Sequence, residues 1–154
     1  ANHLTDLAGG IECDMWSTRE LQPRAVTQEL MAGGVFILPY NTNARPKLPS
    51  RHSGQKAHYG IVVGILIGLE SASEEKPLQC LENEESLSLV DDADTVYLLV
   101  QHSLSSKLSI ATWSDFMESN QQLVSVDEGK FGRKDLNLKD RIIICRGFHP
   151  GASD

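Results

Sequence analysis

Lys56-Ala57-His58-Tyr59-Gly60-Ile61-Val62-Val63-Gly64-Ile65-Leu66-Ile67-Gly68-Leu69 is a long apolar run, rich in β-branched residues and punctuated by glycine, with a histidine at its polar mouth. That composition predicts a buried strand from Ala57, bent at Gly60 or Gly64 where a missing side chain permits a bulge. His58 is thereby held at the entrance of a rigid element. Histidine alone titrates near neutral pH without perturbation, so the position suits a general base. It equally suits a half-exposed histidine that caps a core strand.

Working outward, Pro23 followed by Arg24 to Ala32 predicts a helix, with proline in the first turn and Gly33-Gly34 as the stop. Val35 to Tyr40 reads as a short buried strand, and Asn41 to Gly54, with its prolines, as a loop. Residues 70–94 form an acidic insert read as a solvated loop, since eight carboxylates from Glu74 to Asp94 face a single Lys76. Thr95 to Gln101 and Lys107 to Thr112 predict a hairpin joined by His102 to Ser106. Ser114 to Asn120 resembles a helix start with Ser114 as cap, and Arg141 to Arg146 a further buried strand. Ala1 to Glu12 shows no clear periodicity and no initiator methionine, so the chain is expected to begin inside a larger protein. Strands in series with few helices indicate an α+β domain with a mainly antiparallel sheet over residues 1–154.

A chain of 154 residues that is 40% hydrophobic supports a single domain with its own core. The net charge of −7 argues against nucleic acid as the main partner, because phosphate binding needs concentrated Lys and Arg. The apolar run is too short and too interrupted to span a bilayer, so no membrane partner is expected. Cys13, Cys80 and Cys145 are odd in number and lack the close spacing of metal ligands, so reduced thiols in a cytoplasmic location and no metal are expected.

The run from Leu30 through the glycine-rich strand, with Leu38-Pro39-Tyr40 before it and Glu118-Ser119-Asn120-Gln121-Gln122-Leu123 after it, resembles the actin maturation proteases. Those are papain-like cysteine peptidases related to bacteriocin-processing enzymes, and the resemblance extends from about Ala25 to Arg146. It implies a papain-like fold, of which this chain would be the histidine-bearing, β-rich C-terminal half, and an aminopeptidase activity on the acetylated N-terminus of actin that needs no organic cofactor. The same resemblance implies a chain order of nucleophilic cysteine, then histidine, then an orienting Asn or Asp.

With His58 as base, the nucleophile must precede it, and Cys13 stands alone upstream. Glu12 and Asp14 flank it and disfavour thiolate, so it reads as a small hydrophobe. Cys80 and Cys145 follow the histidine. The nucleophile is therefore expected in a missing N-terminal half of the same protein, and a non-catalytic binding module that kept the fold is the alternative. The orienting group falls in Thr112-Trp113-Ser114-Asp115, where Asp115 is the chemically sound choice and Ser114 or Thr112 are alternatives. Asp115 equally reads as a first-turn charge. Trp113 either walls the site or fills core. Arg45, Lys47, Arg51 and Lys56 concentrate positive charge just before His58 and read either as a rim that attracts an acidic actin N-terminus or as a solvated loop. His3, His102 and His149 carry no assignment.

Overall fold

The computed structural model describes residues 2–7, 11–42, 48–51, 57–69, 83, 87–102, 106–124 and 137–147. Chain order is β1 (Asn2–Leu7), β2 (Ile11–Ser17), α1 (Pro23–Met31), β3 (Val35–Asn41), β4 (Ala57–Gly68), α2 (Ser88–Asp91), β5 (Thr95–Gln101), β6 (Ser109–Thr112), α3 (Trp113–Gln121) and β7 (Arg141–Arg146). The strands form one sheet in the order β1-β2-β7-β3-β4-β5-β6, and every neighbouring pair is antiparallel. This is the mainly antiparallel α+β arrangement that the strand series predicts.

Alternation along the strands sorts the sheet into two faces. Phe36, Leu38 and Tyr40 of β3, Val62 of β4, Leu98 and Val100 of β5, and Ile142 and Ile144 of β7 are buried against Val26 of α1 and Phe116 and Met117 of α3. Each fully buried apolar side chain contributes about 1.5–3 kcal/mol, so this layer is the main source of stability. The opposite face leaves Tyr59, Ile61, Val63 and Ile110 exposed.

The bulge falls where the glycines allow it, as a register shift between Val62 and Gly64 in the β4–β5 ladder. Proline stands in the first turn of α1 and Gly33 ends it at φ +83°. Three expectations change. The segment from Ala1 to Glu12, read as lacking periodicity, contributes to the β1–β2 hairpin (residues 2–7 and 11–17), which continues the sheet beyond β7. The acidic insert is not loop throughout: Leu87 and Val90 are buried beside α2, and Arg24 of α1 pairs with Asp91. Residues 70–82 and 84–86 lie outside the described residues. Finally, α3 is capped by Thr112 rather than Ser114, because the Thr112 hydroxyl accepts from the Asp115 backbone N–H at 3.1 Å.

The cysteines are not all reduced thiols. Cys13 and Cys145 stand opposite each other in the β2–β7 ladder and form a disulfide, with Cα atoms 4.2 Å apart. Their 132-residue separation hides this pairing from any spacing rule. Once β2 and β7 are neighbours, the register alone brings the thiols together.

Candidate functional site

Strand β4 places His58 two residues before Gly60 and four before Val62, on the helix-covered face, and the residue opposite it is Tyr40. His58 is half-buried, whereas Tyr40 is fully buried and meets the Phe116 ring edge-on at 5.1 Å. Burial pushes the Tyr40 phenol up to about 12, so it stays protonated and acts as a neutral polar neighbour at physiological pH. A Cβ at Gly60 would come within 2.1 Å of Val100 Cγ1 and 3.2 Å of Tyr40 Cε1. Glycine there is what lets the Tyr40 ring settle beside the start of β4.

A second histidine stands at the same end of the sheet. Ile61 faces Gln101, so His102, one residue further, lies beside Gly60 and shares a face with His58. His102 is 5% exposed, and its Nε2 is 3.2 Å from the Ser109 hydroxyl. Sequence reading gave His102 no role. The available signal was its place two residues beyond Val100, in step with the inward Leu98 and Val100.

Asp115, Ser114 and Thr112 stand elsewhere. Thr112 faces Tyr97, which faces Leu66, so α3 begins level with a point eight residues along β4 from His58, roughly 25 Å of extended strand. The Asp115 carboxylate accepts from the Thr112 hydroxyl at 2.6 Å, completing a reciprocal cap with the Asp115 backbone N–H. Ser114 is exposed. Trp113 is half-buried and packs against the core cluster.

The far end of α3 reaches β3, the neighbour of the histidine strand. Ser119 Oγ accepts from the Asn41 N–H and lies within donating distance of the Asn41 and Ser50 carbonyls, each contact at 2.9 Å. The buried Asn120 amide donates to the Pro39 carbonyl at 2.8 Å and the Arg141 carbonyl at 3.0 Å, while its oxygen accepts from Thr18 at 2.9 Å. Pro39 and Asn41 are the β3 residues opposite Tyr59 and Ala57. Two adjacent side chains of α3 thus secure the stretch of β3 that pairs with the strand carrying His58.

Arg51 is exposed and ion-paired with Glu118, the residue preceding that clasp. Arg45, Lys47 and Lys56 lie outside the described residues. An open pocket of about 450 Å³ lies away from His58, between Trp16 and Arg141 of the sheet and Leu21 and Ala25 at the start of α1. Among the described residues no group of three or more His, Cys, Asp or Glu is placed to hold a metal, and no helix is long and apolar enough to cross a membrane.

Among curated proteins, the chain is similar to actin maturation protease of Xenopus tropicalis, 25% identical over 107 residues that cover 66% of this chain and 35% of that protein. The matched region therefore spans about a third of the length of that curated relative. No family model matches the chain, and no solved structure matches it.

Proposed function

We propose that this chain carries the general base of a cysteine peptidase that removes the acetylated N-terminal residue of immature actin. One observation supports the reading above others. The two sequence elements on which the resemblance rests, around His58 and around Glu118-Ser119-Asn120, are joined through β3 by the Ser119–Asn41 and Asn120–Pro39 hydrogen bonds. They form one site-building unit.

In this reading His58 withdraws the proton of a cysteine thiol, the thiolate attacks the carbonyl carbon of the first residue, and His58 returns the proton to the departing amine. Water then hydrolyses the thioester. In this reading the nucleophile belongs to a part of the protein outside these 154 residues, since Cys13 on β2 stands three strands away from His58 on β4 and on the other face of the sheet. Asp115 enters as orienting carboxylate only if α3 rearranges in the complete enzyme, because here it caps its own helix. In this reading the positive charges of Arg45, Lys47, Arg51 and Lys56 draw in the acidic actin N-terminus.

The second reading, a binding module without catalysis, is favoured by the engagement of Cys13 and Asp115 in structural roles. Mass analysis of an acetylated actin N-terminal peptide incubated with the complete protein separates the two. A peptidase shortens the peptide and a binding module leaves it intact.

A further inference from the structure

The Cys13–Cys145 pair lies outside everything proposed for His58. It sits on the sheet face opposite the helices, because Val35 and Cys145 face each other one position out of step with the inward pair Phe36 and Ile144. Cys145 is 6% exposed, whereas Cys13 is half-buried and more open to solvent. Among the described residues, strand β2 joins the rest of the sheet through β7, and β1 through β2. The disulfide therefore crosses the one ladder that holds the hairpin in place. On the helix side the same ladder is secured by Arg146, which donates to Asp14 at 2.8 Å and to Glu29 of α1 at 2.7 and 2.9 Å. That ion cluster survives reduction.

We infer that the Cys13–Cys145 bond is a reversible redox lock on the β1–β2 hairpin, made and broken by exchange with a small thiol–disulfide couple of the glutathione class. In the opening direction a glutathione thiolate attacks the accessible Cys13 sulfur, forming a Cys13–glutathione mixed disulfide and releasing Cys145 as thiolate. A second glutathione thiolate attacks the glutathione sulfur of that mixed disulfide, forming glutathione disulfide and freeing Cys13. Two electrons pass from two glutathiones to the protein bond, and closing runs the same steps backwards. With the bond open the hairpin keeps its Arg146 anchor, so it loosens without detaching.

The test uses the full chain equilibrated in glutathione buffers from reducing to oxidising, quenched with iodoacetamide and weighed intact. Oxidised protein should carry a label on Cys80 alone, and protein in millimolar reduced glutathione should carry labels on all three cysteines. Amide exchange should quicken about tenfold or more across residues 2–17 on reduction, with β3 and β4 unchanged. Cys13→Ser should exchange like the reduced protein in either buffer. Labelling of all three cysteines under oxidising conditions, a bond that millimolar glutathione leaves closed, or hairpin exchange indifferent to the bond would each overturn the inference.

Discussion

Tyr40 stands directly opposite His58 across β3 and β4, and its ring overlies the glycine two residues further along the histidine strand. The strand that carries the imidazole is thereby packed against a buried phenol. Because the unfolded chain releases that phenolic proton near pH 10.0 and the folded protein near 12, its stabilising contribution is complete below pH 10 and is lost as pH rises toward 12. Unfolding free energy should fall by about 2–3 kcal/mol more over that interval in the wild type than in Tyr40→Phe. Parallel urea titrations at pH 9 and pH 11.5 check this, and equal alkaline slopes in the two proteins would remove the phenol from the account.

Gly60→Ala should destabilise the protein by about 1–3 kcal/mol, since the new methyl group overlaps the Val100 side chain and presses on Tyr40. Shortening the neighbour relieves the overlap. The double variant Gly60→Ala with Val100→Ala should therefore lose less than the sum of the single losses, by a coupling of about 1 kcal/mol. Strict additivity would mean that the close approach at Gly60 carries no energy.

Asn120→Ala should be among the costliest polar substitutions, about 3 kcal/mol or more, because it strips donors from the Pro39 and Arg141 carbonyls in a buried setting. Chemical denaturation reads the loss directly. A cost under about 1 kcal/mol would show that α3 does not clasp β3.

The caps separate structure from chemistry at α3. Thr112→Ala should cost about 1 kcal/mol and Ser114→Ala almost nothing, since Thr112 accepts the capping bond and Ser114 is exposed. Asp115→Asn should resemble Thr112→Ala in stability and leave any peptidase turnover of the complete protein near normal. A large fall in kcat for Asp115→Asn, without a matching fall for Thr112→Ala, would restore Asp115 as orienting group.

Much of this was readable from residues alone, for identifiable reasons. The run from Ala57 and the strand at Arg141 are apolar and β-branched, and Pro23 and Gly33 bracket α1, so local composition and local geometry agree. The β1–β2 hairpin was hidden because Ile11 to Ser17 mixes Glu12, Asp14 and Cys13 into a strand whose polar members find partners in Arg146 and Cys145, more than a hundred residues away. Leu87 and Val90 were hidden by the surrounding acids. At the site, His58 was visible as a histidine at the start of a rigid strand. His102 was not, because its burial and its bond to Ser109 depend on the β5–β6 pairing. The Glu118-Ser119-Asn120 motif was legible as a motif, but its role in securing β3 requires three dimensions.

The role of His58 as general base is tested by mass analysis of an acetylated actin N-terminal peptide treated with the complete protein, wild type beside His58→Ala. The wild type should remove the acetylated first residue, while His58→Ala should unfold at an unchanged temperature and process the peptide several orders of magnitude more slowly. Normal processing by His58→Ala, or none by the wild type, would contradict it.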